Sequence, residues 1–196
     1  VRHYASETCE SMSVRPLRDF VAIDLETTGL DFSNEEILEL GAVLFRDGKE
    51  AGVFSAVLRT KRPVTPFIEA LTGITAAEAA AGQDPTEAIK AFQDFCGSLP
   101  LVAHNSMFDL RFLRKTWEAA GIVEPDRPVF DTLLGARAVW PEWASHKLET
   151  LVEKLNLTES GDTAHRAAAD ARAAGRLFLA VQVELASLQT ASSAVV

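Results

Sequence analysis

The sequence predicts an α/β domain built on a mixed five-stranded sheet with helices on its faces. Two observations carry this reading. Three apolar, β-rich runs fill the stretch from Phe20 to Leu58, and brief strand-like runs then alternate with segments of helical periodicity. Three antiparallel strands followed by β-α units are expected to share one sheet.

The first strand is Phe20-Val21-Ala22-Ile23-Asp24-Leu25, a short apolar run that ends in the turn formers Thr27, Thr28 and Gly29. Ile37 to Phe45 and Val53 to Leu58 supply the next two, and the Asp47-Gly48 pair between them is the kind of turn that closes a hairpin. Asp84-Pro85-Thr86-Glu87 reads as a helix start, with an N-cap, Pro at the first position and an acid in the first turn. Ile89, Phe92 and Phe95 follow at helical spacing. Leu101 to Ala103 is a brief strand, and Phe108 to Ala120 a helix presenting Leu110, Leu113 and Trp117 on one face. Pro128 to Phe130 is the fifth strand. Asp131, Lys147 and Thr163 each stand near the start of a further helical stretch. Residues 1–18 lack periodicity and are expected to be a flexible leader, residues 19–185 the domain and 186–196 a short tail.

Composition limits the functional classes. At 196 residues, with 47% hydrophobic and 24% charged residues, the chain is expected to be one globular domain without a membrane span. Cys9 and Cys96 lie far apart without further ligands at metal spacing, which fits a reducing, cytoplasmic setting. The formal charge of −9 argues against nucleic-acid binding through a broad basic surface. Two bound divalent cations would bring that charge to −5 and concentrate the compensation where a phosphate sits.

Five residues in three segments point to such cations. Asp24 and Glu26 stand two apart at the end of the first strand, so they leave the same face of the sheet. Asp109 falls about one turn into its helix if Asn105 caps it. His165 and Asp170 are five apart, about 140° around a helix, which places His165 on a loop or first turn and Asp170 inside the helix. Taken singly, each acid has a plainer reading as a turn or cap residue. Taken jointly, carboxylates converging from distant segments are what hard, oxygen-seeking Mg²⁺ or Mn²⁺ requires. An imidazole beside them is suited to exchange a proton near neutral pH. Asp131 reads as an N-cap rather than a fifth ligand. Arg111, Arg114, Lys115, Lys147, Arg166 and Arg172 are candidates for phosphate contacts, with Arg166, beside His165, the foremost.

Asp24 to Leu30 (Asp-Leu-Glu-Thr-Thr-Gly-Leu), Ala103 to Asp109 (Ala-His-Asn-Ser-Met-Phe-Asp) and His165 to Ala171 (His-Arg-Ala-Ala-Ala-Asp-Ala) resemble the three motifs of the DEDD exonuclease superfamily, histidine branch (DnaQ-like). The resemblance runs from about Asp19 to Val183. It is nearest to the proofreading epsilon-subunit type of bacterial DNA polymerase III, to which Leu71-Thr72-Gly73-Ile74 and Phe130-Asp131-Thr132 also correspond. It implies a ribonuclease H-like fold and 3′→5′ removal of nucleoside 5′-monophosphates from single-stranded or frayed DNA ends, in proofreading or repair. By the same resemblance Asp24, Glu26, Asp109 and Asp170 hold two divalent ions, Mg²⁺ or Mn²⁺, and His165 is the general base. The backbone of Thr27 meets the terminal 3′ hydroxyl, and Leu30 wedges against the last base. A DNA polymerase is the implied partner. Relatives that degrade RNA leave RNA as the alternative polymer, and a non-catalytic nucleic-acid or polymerase-binding module is the alternative of a different class.

Overall fold

A computed structural model describes residues 16–157 and 165–193. Its sheet has five strands in the order β3-β2-β1-β4-β5, comprising β1 (Phe20–Thr27), β2 (Ile37–Arg46), β3 (Lys49–Val57), β4 (Leu101–Ala103) and β5 (Val129–Asp131). β1, β2 and β3 are antiparallel neighbours, whereas β4 runs parallel to β1 and β5 parallel to β4. The β2–β3 hairpin turns at Asp47 and Gly48, with φ of 48° and 73°. Positive φ at both central residues is the geometry that follows the sheet's own twist, which is why Asp-Gly serves there.

The seven helices described are α1 (Pro66–Thr72), α2 (Ala76–Ala80), α3 (Pro85–Cys96), α4 (Ser106–Ala119), α5 (Thr132–Val139), α6 (Leu148–Lys154) and α7 (Ala167–Ser193). Alternation along β1 decides what each face meets. Val21, Ile23 and Leu25 pack on one side with Ile89 and Phe92 of α3 and Phe112, Leu113 and Trp117 of α4. Phe20 and Ala22 face the other side, against Ala171 and Phe178 of α7. Asp24 and Glu26 continue this second set, so the alternation that buries Phe20 and Ala22 also aims both carboxylates at the start of α7.

Helix α7 lies unusually close to the sheet. A Cβ added at Gly41 would stand 2.1–2.4 Å from backbone atoms of Ala167 and Ala168, and one at Gly175 2.3 Å from the Phe45 ring. The first turn of α7 is further tied to β2 by Glu39, whose buried carboxylate accepts from Arg166 Nε (3.1 Å), Arg166 Nη2 (2.8 Å), the Ala167 N–H (3.1 Å) and Ser55 Oγ (3.0 Å).

The strands and larger helices fall where the sequence places them, within a few residues. Helices α1 and α2 are additional, and both are short. Their signals were local: Thr65 caps α1 before Pro66, and Thr75 with Glu78 forms a complete capping box on α2. The role given to Asn105 requires correction. It occupies the N-cap position of α4 but has φ 67° and makes no side-chain cap. Asp131 takes over, accepting from the N–H groups of Asn105 (3.2 Å) and Ser106 (2.9 Å) while also capping α5 through Leu133 N–H (2.9 Å). One carboxylate thus holds two helix N-termini, which a reading of nearest sequence neighbours overlooks. Thr163 and residues 1–15 of the expected leader lie outside the described residues. Leu17 is anchored by two hydrogen bonds with the Gln182 side chain, and α7 continues across 185–186 to Ser193.

Gly41→Ala tests the α7 docking. Because the clash is with backbone, the helix start must shift, and we expect a melting temperature lower by on the order of 5–10 °C. An unchanged melting temperature would show that α7 tolerates a wider spacing than the one described.

Candidate active site

Three elements converge on the C-terminal end of β1. One carboxylate oxygen from each of Asp24, Glu26 and Asp170 lies within 4.8 Å of the others. Asp109 arrives from the first turn of α4 and is buried, with its carboxylate accepting from the Leu25 backbone N–H. Strand β4 pairs with β1 only at Val21 and Ala22, so this approach is open to α4. A groove of about 260 Å³ lined by Asp24, His104, Lys147, Leu148, Glu149, His165 and Asp170 opens over the cluster.

The electrostatics are those of acids crowded together. Burial, and then the charges of Asp109, Asp170 and Glu26, hold Asp24 far above the usual carboxylate range. Burial pushes Glu26 up to about 7, helped by Asp170 and Glu39 and opposed by Arg166. Burial raises Asp109 to about 8 against the pull of backbone N–H groups, and Asp170 is raised by burial against the nearby His165. Among the described residues no Lys or Arg forms an ion pair with any of these four. An all-carboxylate donor set without an ion-paired Lys or Arg fits hard divalent cations.

His165 is exposed, two residues before the first residue of α7, at φ 61°. Its backbone N–H donates to Asp170 Oδ2 at 3.1 Å, so one acid shapes the turn and faces the cluster. The expectation of His165 on the turn and Asp170 within the helix matches this geometry.

At Thr27 the register of β1 against β2 shifts, and the Thr27 hydroxyl donates to Gly29 O at 2.7 Å. Bulges beside a site redirect the chain leaving a strand. Leu30, three residues on, is 85% exposed, which excludes a core role for it. The β1–β2 loop is held from α4: Lys115 Nζ donates to the carbonyls of Phe32 (3.0 Å), Ser33 (3.3 Å) and Glu35 (2.9 Å), and Arg111 sits over the Phe32 ring.

The cations expected to meet phosphate are therefore mostly engaged. Arg166 is bound to Glu39, Arg114 to Glu124 and Arg172 to Glu50, which leaves Lys147 lining the groove. Trp140 and Trp143 stack on each other at 4.8 Å within a packed cluster. Sequence reasoning missed Glu39. The available signal was an acid inside an otherwise apolar strand, and the register sets it directly opposite Glu26. His104 belongs to the supporting frame, with Nε2 donating to His146 O (3.0 Å) and Nδ1 facing the Thr132 hydroxyl (2.9 Å). Burial lowers the pKa of its imidazole, consistent with one nitrogen donating and the other accepting.

Residues 21–178 match the RNase_T family model, described as an exonuclease. A PolC-type DNA polymerase III of Lacticaseibacillus paracasei is 36% identical over 170 residues, which are 87% of this chain and 12% of that protein. The Bacillus cereus counterpart is 34% identical over 160 residues, 82% of this chain and 11% of that protein. The chain thus spans about an eighth of the length of these relatives. Among solved structures, exonuclease X in complex with 5′ overhanging duplex DNA aligns with a TM-score of 0.68 at 27% identity, covering 84% of this chain and 91% of that one. E. coli exonuclease I in complex with a dT13 oligonucleotide shares the fold, with a TM-score of 0.73 at 20% identity, over 89% of this chain and 43% of that one. The motifs that supply the carboxylates fall inside the matched span, and the fold is that of the exonuclease neighbours. The chain therefore belongs to the RNase_T exonuclease family.

Proposed function

We propose that this chain is a 3′→5′ exonuclease acting on single-stranded or frayed DNA ends, in proofreading or repair beside a DNA polymerase. The observation that carries the reading is the convergence of Asp24, Glu26 and Asp170, with Asp109 behind them and His165 at the rim of one open groove. The PolC-type relatives and the DNA-bound exonuclease X support DNA as the polymer.

Asp24, Glu26, Asp109 and Asp170 would hold two ions, Mg²⁺ or Mn²⁺. Such ions supply charge stabilisation for the scissile phosphate and make water acidic enough to yield a nucleophile at neutral pH. His165 takes the proton from the attacking water, and the carboxylates of Asp24 and Asp170 lining the same groove stabilise the imidazolium that results. Cleavage of the P–O3′ bond leaves the phosphate on the released nucleotide and a 3′ hydroxyl on the shortened strand. The backbone after Glu26, with Thr27 turned by the register shift and Leu30 projecting into solvent, receives the terminal nucleotide. A preference for single strands follows, because the last nucleotide must leave its stack to bring its phosphate to the acids.

The decisive assay is digestion of 5′-labelled DNA and RNA of one sequence with Mg²⁺, Mn²⁺ or EDTA. A metal-dependent ladder shortening from the 3′ end, faster on DNA, is expected. Faster cleavage of RNA would move the assignment to RNA, and no cleavage of either would favour a binding module. Asp24→Asn should abolish cleavage, yet raise the melting temperature of the metal-free protein at pH 8 by relieving the crowding. Full activity in that variant would remove Asp24 from the chemistry. His165→Ala should slow turnover by on the order of 10²–10⁴-fold. The variant should bind Mn²⁺ as before. A rate within a fewfold of wild type would show that another group takes the proton.

The acid cluster also sets a pH dependence of stability. Its carboxyls titrate higher in the folded than in the unfolded chain, so their contribution is complete below the ordinary carboxylate range. It is lost as pH rises through about 7 for Glu26 and about 8 for Asp109. In EDTA the melting temperature should fall between pH 6 and pH 9 by on the order of 5 °C, and Mn²⁺ should restore it at the alkaline end. A flat profile in EDTA, measured by differential scanning fluorimetry, would contradict the buried acid cluster.

A further inference from the structure

A second groove, of about 470 Å³, adjoins the acidic one and shares His104, Lys147 and Leu148 with it. Its remaining lining is Asn105, Leu133, Arg137, Ala144 and His146. The two grooves are opposite in character. The first holds Asp24, Glu149 and Asp170, whereas the second contains no acid, and its charged side chains are Arg137 and Lys147.

Arg137 is singular among the arginines near the site. Those at 111, 114, 166, 172 and 176 are spent on Phe32, Glu124, Glu39 and Glu50, but Arg137 is exposed and takes part in no hydrogen bond or ion pair among the described residues. Lys147 reaches Glu149 only at 3.8 Å, with both side chains largely exposed, a contact that competes weakly with a phosphate. In a chain of net charge −9, an unpaired guanidinium and an ammonium lining an acid-free groove next to the acids supply local positive potential where the composition does not.

We propose that this groove seats the sugar–phosphate backbone of the strand immediately 5′ of the scissile phosphate, with Arg137 and Lys147 as its phosphate contacts. The inference rests on the exonuclease reading above. A strand whose terminal nucleotide lies along Thr27 and Leu30, with its scissile phosphate at the acids, continues past His104 and Leu148 into the basic groove. Arg137 thereby positions the polymer without touching the reacting atoms. It favours oligonucleotides over small phosphodiesters.

The test compares two substrates on Arg137→Ala, Arg137→Lys and the wild type. One is an eight-residue thymidine oligonucleotide. The other is the p-nitrophenyl ester of thymidine 5′-monophosphate, which carries the scissile phosphate but has only the nitrophenyl leaving group, and no nucleotide or further phosphate, 5′ of it. Arg137→Ala should lose about tenfold in kcat/KM on the oligonucleotide relative to the ester, chiefly through KM. The dependence of log KM on log salt should become shallower by about 0.7, the value of one phosphate contact on a single strand. Arg137→Lys should keep most of that slope. Equal losses on both substrates, or an unchanged oligonucleotide KM and salt slope, would overturn the proposal while leaving the exonuclease assignment standing. Absence of cleavage of both substrates by the wild type would instead overturn the exonuclease reading.

Discussion

The first turn of α7 can lie against β2 only because residue 41 has no side chain, and the catalytic end of the molecule depends on that contact. A helix that begins on a sheet leaves N–H groups unsatisfied and its first residues free to drift. Here Glu39 accepts from the Ala167 N–H and from the Nε and Nη2 groups of the Arg166 guanidinium, and Gly41 lets the backbone of Ala167 and Ala168 close on the strand. Asp170, one turn further along α7, is thereby held against Asp24 and Glu26. Arg166 also offsets an otherwise unfavourable cross-strand pair of acids, Glu26 opposite Glu39. The arginine beside the histidine motif thus serves the acid cluster from behind, as a structural counter-charge.

Stability and chemistry oppose each other at this end of the sheet. Strand alternation would normally place apolar residues where Asp24 and Glu26 stand, and the carboxyls there are held well above their ordinary range by burial and by one another. Carboxyls so perturbed and gathered beside a groove are the physical signature of a functional site. Rigid surroundings make the arrangement tolerable. Asp131 caps α4 and α5 together, and Lys115 of α4 gathers the β1–β2 loop, so the helix carrying Asp109 is fixed at its start and in turn holds the loop carrying Leu30.

Charge is distributed to match. Most cations on the described surface are neutralised by acids, aromatic rings or carbonyls close at hand, which keeps the exterior acidic. The exception adjoining the site is the groove of Arg137 and Lys147. A protein that grips a short length of strand needs few phosphate contacts, and an acidic surface elsewhere discourages binding away from the end.

The sequence alone determined the strand order of the opening meander, the β-α alternation after it, and the segments that carry the acids. These are local properties: period-two alternation, Asp-Gly at the hairpin, Asp-Pro at a helix start, and carboxylates two apart on one strand face. It also separated His165 from Asp170, because five residues on a helix cannot point alike. Tertiary structure alone decided the rest. Whether Arg166 meets a phosphate or Glu39 depends on a residue 127 positions away, and whether Asn105 or Asp131 caps α4 depends on one 26 positions away. Leu30 reads identically as core or surface until the loop is placed, and Arg137 acquires significance only because, among the described residues, it forms no ion pair while lining a groove beside the acids. Spacing reports what a segment prefers by itself, whereas pairing, burial and the sign of the local potential depend on which distant segments the fold brings together.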